Sequence, residues 1–334
     1  MIKLFLFLFS TAQAFDAHDC QNLHEESWIC DYMQEHDKNY STRSEFLLRK
    51  SRLKSVSEAV TKHFGLTSKS DTFPHELRSN NAFAYGHHKT LVRAAHKKHV
   101  HLEAVQKLPA MDWRSHNRVT PVKDQGDCGG CFAFASATVL EYWSSKHNPK
   151  SLSPQNIMDC TSGTGRPDVG CDGGLMEYVF EYAKSHPIPL EGEFRWSGHL
   201  NQCPNHHLRT NVAVKDFRVL MIEDNSKAEQ QFEHILHEYG PISVGIDSSN
   251  MNNYRGGVFS GAMCTNDIDH AVTIVGYTDK AWIIKNSWGS KWGVNGYLYL
   301  ERGKNACGVA EYGVYVKDAV ATHRKMSTRW HMDA

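Results

Sequence analysis

Gln125-Gly126-Asp127-Cys128-Gly129-Gly130-Cys131-Phe132-Ala133-Phe134 carries two cysteines out of a glycine-rich loop and into a run, Phe132 to Trp143, that is apolar on most sides, as a buried helix should be. A sulfur at such a junction sits near a helix N-terminus, whose partial positive charge favours thiolate over thiol, and thiolate is the nucleophilic form. Taken alone, Cys128-x-x-Cys131 supports three readings: a dithiol redox pair, half of a zinc site, or one structural and one reactive cysteine.

Two segments far downstream bear on the choice. Asp269-His270-Ala271-Val272 opens one β-rich run, and Lys285-Asn286-Ser287-Trp288-Gly289 closes the next. In this order the segments resemble the papain-like cysteine proteases, and Leu175-Met176 after Gly173-Gly174 looks most like the cathepsin L branch. The resemblance extends over nearly the whole chain, through Leu108 to Arg114 and Val119 to Lys123 and on to Cys307-Gly308. It implies a thiol-dependent endopeptidase in which Cys131 attacks a peptide carbonyl, His270 serves as imidazolium partner and then protonates the leaving amine, and Asn286 orients that imidazole. Gln125 and the backbone N–H of Cys131 would form the oxyanion hole, where a fixed donor is worth about 3 kcal/mol in other acyl-transfer enzymes.

The same resemblance assigns substrate contacts. Gly173 and Gly174 would pair with an extended peptide, Asp269 and Trp288 would also contact substrate, with Trp288 shielding the His270–Asn286 bond from water, and Leu175, Met176, Gly245, Ile268 and Tyr312 would line the P2 pocket. That lining is apolar, so Leu, Val or Phe is expected at P2. Tyr312 is large for a pocket floor, and Glu311 beside it is placed to admit Arg. The chain also departs from the family pattern: Gly130 stands for Ser, which should loosen the loop, and Phe132 stands for Trp, which removes an indole N–H. No long insertion blocks an end of the groove, which favours internal cleavage.

The nine cysteines fit this reading. With Cys131 set aside, six remain after Leu108, and the residues alone cannot choose among their fifteen pairings. The resemblance pairs Cys128 with Cys171, Cys160 with Cys203 and Cys264 with Cys307, while Cys20 and Cys30 are candidates for a further bridge. A redox couple would instead leave two titratable thiols and make no use of His270. A zinc site on Cys203, His206 and His207 lacks a fourth ligand, so no metal or cofactor is expected.

Around these motifs the chain divides by composition. Residues 1–14 join a basic start and a short apolar run to Ala12-Gln13-Ala14, the pattern of a secretory signal peptide. Residues 15–107 are polar and basic, with helical spacing of Phe46, Leu47, Leu53, Val56 and Val60. They resemble the family's inhibitory propeptide, with Glu45 and Arg49 fitting its helix motif and cleavage expected near Lys107-Leu108. From 108 to 316, helical patterns come first (Phe132 to Trp143, Met176 to Lys184). Strand patterns follow at 241–247, 271–277, 281–284 and 296–300, with one helix at 228–239. The class is α+β. The resemblance implies a papain-like fold of two lobes, helical over about 118–216 and β-barrel-like over about 217–316; residues 317–334 read as a loose polar extension.

Composition excludes other classes. With 334 residues, 40% hydrophobic, and 37 Lys+Arg cancelling 37 Asp+Glu, the chain is neither disordered nor fibrous, and nothing in its charge calls for nucleic acid or an anionic membrane as partner. The expected partners are protein and peptide substrates and the chain's own propeptide, with the enzyme a monomer in the secretory pathway, lysosome, vacuole or exterior. Ten of the 21 histidines precede Leu108, and protonation of His87, His88, His96, His99 and His101 would add repulsion to an already basic linker. Asn39-Tyr40-Ser41 is a glycosylation sequon.

Overall fold

A computed structural model describes residues 16–57 except 23–26 and 37, and residues 108–322 except 163–167, 169, 205–209, 222–224 and 266. The signal-peptide stretch, Val60, the linker with His87, His88, His96, His99 and His101, and the chain beyond residue 322 lie outside the described residues.

Among the described residues the N-terminal segment holds three helices, α1 (Ala17–Asn22), α2 (Ser27–Glu35) and α3 (Arg43–Ser57). Cys20 and Cys30 are bonded, joining α1 to α2, and together with Ile29, Tyr32, Met33, Tyr40 and Phe46 they form a small core of their own. So few apolar side chains give limited burial, and the covalent link offsets part of the ordering entropy. Thr42-Arg43-Ser44-Glu45 starts α3. The Glu45 N–H donates to Thr42 Oγ1 at 3.1 Å, and its carboxylate accepts from the Ser41 N–H at 2.9 Å and reaches Arg49 at 3.5 Å. The two motif residues expected to matter here, Glu45 and Arg49, therefore pair along one face of α3.

This segment touches the rest of the chain through the end of α2. Lys291 Nζ donates to the Glu35 carbonyl at 2.5 Å, and the Arg255 guanidinium lies 3.8 Å from the Glu35 carboxylate. His36, the next residue, is buried against Tyr32 at 4.8 Å between ring centroids, and neither ring nitrogen has a hydrogen-bond partner among the described residues. Burial lowers its pKa from 6.5; Glu35, 4.0 Å away, opposes the shift, while Lys291, Lys38 and Arg255 reinforce it. A base held below its ordinary value favours the neutral ring in the folded segment, so the stability it contributes is fully present above pH 6.5 and weakens as pH falls beneath it. His36→Leu, which cannot protonate, should move the midpoint of acid processing down by about half a pH unit. Gel-resolved processing between pH 7 and 4 measures this, and an unmoved midpoint would remove His36 from the trigger.

From residue 108 onward the elements are β1 (Met111–Asp112), α4 (Cys131–Ser144), α5 (Pro154–Thr161), α6 (Met176–Ser185), β2 (Ile188–Pro189) and β3 (Thr210–Leu220). These are followed by α7 (Asn225–Glu238), β4 (Ile242–Ile246), β5 (His270–Tyr277), β6 (Ala281–Lys285), β7 (Tyr297–Glu301) and β8 (Gly313–Ala321). Among the described residues the eight strands join one antiparallel sheet in the order β2-β3-β8-β4-β5-β6-β7, with β1 on β5. α4 is buried on nearly every side because its small residues, Ala133, Ala135 and Ala137, let it lie between β4, β5 and β8 on one side and α5 and α6 on the other. Ser153 caps α5 by accepting the Asn156 N–H at 3.0 Å, and Pro154 takes the first helical position. Two apolar cores result, one around α4, α5 and α6 and one beneath α7 and β4 to β7.

β4 to β7 coincide with the expected strand runs within a residue or two. β3 and β8 were not expected. β3 begins inside the stretch read as helical and crosses the boundary placed at 216, and β8 carries the sheet through Ala321, into the stretch read as a loose extension.

Candidate active site

Cys131 is the first residue of α4 and fully buried. Its sulfur lies among the backbone N–H groups of Ala271 and Phe132. The nucleophile candidate thus lies one residue from the imidazole candidate, because α4 packs on β5; Thr273 Oγ1 also donates across that interface to the Ala135 carbonyl at 3.1 Å. Burial pushes the thiol up to about 12, against the backbone N–H groups that favour thiolate, and the neighbouring Asp269 adds to the rise.

His270 opens β5 and Asn286 follows β6. The antiparallel register, with Thr273 opposite Lys285, brings these two ends together. His270 Nε2 lies 2.8 Å from Asn286 Oδ1, which also accepts the Ser287 N–H at 2.8 Å. An Asn oxygen fixed in this way makes Nε2 the protonated nitrogen of the neutral ring and leaves Nδ1 as the basic one. Trp288 stacks on the imidazole at 4.9 Å and 26° and is itself buried, so it keeps water from the His270–Asn286 bond.

Gln125 is completely buried and fixed from several directions. Its backbone N–H donates to the Ser287 carbonyl at 2.8 Å, its Nε2 donates to the Cys128 carbonyl at 2.9 Å, and its Oε1 accepts from Ser287 Oγ at 2.6 Å. The Gly289 N–H, donating to the Lys123 carbonyl at 3.1 Å, completes a clip between the loop before Cys131 and the segment after β6. Beneath this clip lies an ionic cluster. Lys123 Nζ meets Glu141 at 2.8 Å and Glu191 at 3.2 Å, and Lys285 Nζ stands 3.7 Å from Glu141 and 2.9 Å from Thr120 Oγ1.

The residues expected to meet substrate also converge. Leu175, Met176, Ile268 and Tyr312 belong to one packed apolar cluster with Cys131. The Gly245 N–H donates to the Tyr312 carbonyl at 3.0 Å, and the Tyr312 hydroxyl lies 3.3 Å from the Glu177 carboxylate at the start of α6. Gly173 has a φ of 117°, a conformation that favours glycine. A Cβ on Gly174 would lie 2.7 Å from the Phe132 ring and 2.8 Å from Asp168 Oδ1, so Phe132 fills the space beneath that glycine. Burial lifts the Asp269 carboxyl to about 7, opposed by the N–H and hydroxyl of Ser248 at 2.8 and 2.9 Å. One expectation is corrected: Gly130 does not loosen the loop, because a Cβ there would lie 2.6 Å from the Trp196 ring.

The cysteines are bonded Cys20–Cys30, Cys128–Cys171, Cys160–Cys203 and Cys264–Cys307, which leaves Cys131 as the free thiol. A Cys128/Cys131 redox couple is thereby excluded, and Cys203 has no thiolate to offer zinc. Trp196, Ser287 and the Glu141 cluster escaped the sequence reading: each acts through a neighbour distant along the chain, and only Lys285, a charge ending an apolar run, gave any signal.

One sulfur at a helix start, with an imidazole presented to it by the adjoining sheet, is the working arrangement of a cysteine-type peptidase. Residues 108–317 match the papain family cysteine protease pattern, and the chain belongs to that family. It is 32% identical over 328 residues to cathepsin L of Sarcophaga peregrina, covering 88% of this chain and 93% of that one. With cysteine proteinase 15A of Pisum sativum it shares 31% over 345 residues, covering 94% and 93%. Among solved structures, the digestive procathepsin L 3 of Tenebrio molitor larval midgut superposes with a TM-score of 0.72 at 27% identity, over 87% of this chain and 98% of that one. A ragweed pollen cysteine protease, Amb a 11, solved in its proform, gives 0.71 at 27%, over 89% and 96%. The protein is a thiol endopeptidase made as a zymogen.

Proposed function

We propose that Cys131, His270, Asn286 and Gln125 are the catalytic set, that the segment before Leu108 holds it inactive, and that the groove prefers Leu or Val over Phe at P2. The short His270–Asn286 bond beside a thiol seated on the Ala271 N–H carries the catalytic reading. His270 Nδ1 takes the thiol proton as sulfur attacks the carbonyl carbon, and the resulting oxyanion accepts from the Gln125 amide and the Cys131 N–H. The imidazolium then protonates the leaving amine, and a water, deprotonated by the same nitrogen, releases the acyl group from sulfur.

Inhibition by the prosegment is supported by its docking through Glu35 and by a thiol that is fully buried in the uncut chain. Four disulfides support passage through the secretory pathway to a lysosome, vacuole or the exterior, and exposed Asn39 is the proposed glycan site.

Tyr312 supports the P2 preference. Its ring is buried among Leu175, Met176 and Ile268, and its hydroxyl is tied to Glu177, so the pocket floor is already filled by an aromatic ring. Fluorogenic peptides with Val, Leu, Phe or Arg at P2, given to the acid-processed enzyme, test both readings. Val and Leu should exceed Phe, and Tyr312→Ala should raise kcat/KM for Phe relative to Val by about tenfold or more. No turnover of any peptide would end the catalytic assignment; an unaltered Phe-to-Val ratio in the variant would end the assignment of Tyr312 as the floor.

A further inference from the structure

We infer that Trp196 is a positioning residue of the oxyanion hole, supporting both of its donors from the side opposite the β6 clip. The inference rests on Gln125 and the Cys131 N–H being those donors. Three contacts of one indole carry it. Nε1–H donates to the Gln125 carbonyl at 3.2 Å. The six-membered ring lies over Gly130, where a Cβ would come within 2.6 Å of Cη2, 3.4 Å of Cζ2 and 3.5 Å of Cζ3. The ring also meets Phe134 of α4 edge-on, at 4.6 Å and 74°.

Each contact bears on a donor. The Gln125 main chain gives its N–H to Ser287 and receives the Trp196 N–H at its carbonyl, so the residue whose amide would meet the oxyanion is gripped from two sides. Gly130 contributes the carbonyl half of the peptide unit that carries the Cys131 N–H. A ring packed on Gly130 limits the tilt of that unit, and with it the aim of the second donor. Trp196 is itself anchored: Ser153 Oγ donates to the Phe194 carbonyl at 2.5 Å and the Ser197 N–H donates to Gln155 Oε1 at 2.8 Å, which ties its loop to the N-terminal end of α5. Glycine at 130 is the condition for this contact, and a serine there would collide with the indole in its present place.

A double-mutant cycle on the processed enzyme tests the inference, read as kcat, KM and affinity for a peptide aldehyde. The thiol adds across the aldehyde C=O, its proton passing to the oxygen, which then occupies the oxyanion position. Trp196→Phe keeps the ring and loses the N–H; kcat and aldehyde affinity should both fall about five- to tenfold with KM within about twofold. Gln125→Ala should cost about 10²- to 10³-fold in kcat, and adding Trp196→Phe to it should cost less than about twofold more, since the indole N–H that this change removes acts through that glutamine. Gly130→Ser should lose about tenfold or more, and Gly130→Ser with Trp196→Ala should be more active than Gly130→Ser alone. Unchanged kcat in Trp196→Phe, or an equal loss with and without Gln125, would overturn the inference while leaving the donors in place. Wild-type kcat in Gln125→Ala would overturn the donor assignment and the inference together.

Discussion

Cys131→Ala should lower kcat by about 10⁶-fold, which places turnover of a fluorogenic peptide below detection. The size of the loss follows from the absence of any substitute. Eight of the nine cysteines are bonded, and no other described nucleophile stands between the Ala271 N–H and the start of α4. With the sulfur gone, only substrate binding and oxyanion stabilisation remain, and these act on a reaction that now lacks its covalent step. The fold should survive, since the change removes one buried atom from a site already surrounded by packed residues. Two further readouts separate loss of chemistry from loss of structure. The variant should remain uncut at acid pH yet be processed when active enzyme is added, and exhaustive alkylation of the native processed protein should label one thiol in the wild type and none in the variant. Turnover within tenfold of wild type, or two labelled thiols in the wild type, would defeat the mechanism.

What the sequence disclosed and what it concealed divide along a physical line. The nucleophile loop, the His270 strand and the Asn286 turn were legible because each is a local pattern: a glycine-rich loop before an apolar helix, and two short β-rich runs bounded by turn residues. β4, β5 and β6 are buried throughout, so they stand out as unbroken apolar runs. β3 defeats the same approach. Its inward residues are Val212 and Val214, then Phe217 and Val219, because register shifts around Asp216 move the pattern by one residue and erase the alternation. Gly130 was misjudged for a related reason: its freedom depends on an indole contributed by a distant loop, and residue identity cannot report what fills the space beside it. The disulfide pairing, likewise, was available only through the family resemblance.

Glu141→Ala should cost the processed enzyme about 3–5 kcal/mol, because it leaves buried cations without their counter-charge. In a domain of this size that corresponds to a drop in Tm of roughly 6–20 °C. Glu141 was unremarkable within an apolar helix, yet its carboxylate accepts from Lys123 at 2.8 Å, from the Leu152 N–H at 2.9 Å and from the Thr120 hydroxyl, with Lys285 at 3.7 Å. Burial alone would raise its pKa; Lys123 and Lys285 outweigh that and hold it below the usual carboxylate value. Its contribution is therefore present above the unfolded carboxylate pKa and lost as pH falls through the lower folded one, a window on the acid side where the enzyme is expected to work. Lys285 responds in the opposite sense. Burial lowers it to about 8 even with Glu141 in place, so without that carboxylate it should fall further, and the variant should gain stability as pH rises from 6 to 9 more steeply than wild type. Lys285 is also the residue before Asn286, so the same substitution should reduce kcat through the orientation of His270, whereas Glu141→Gln, which keeps the shape and part of the hydrogen bonding, should fall between the two. Thermal unfolding of wild type, Glu141→Gln and Glu141→Ala across that pH range decides the matter. A Tm within about 2 °C of wild type in the alanine variant, or a parallel pH dependence, would mean that the cluster is solvated when the enzyme is mature and does not hold the Asn286 segment in place.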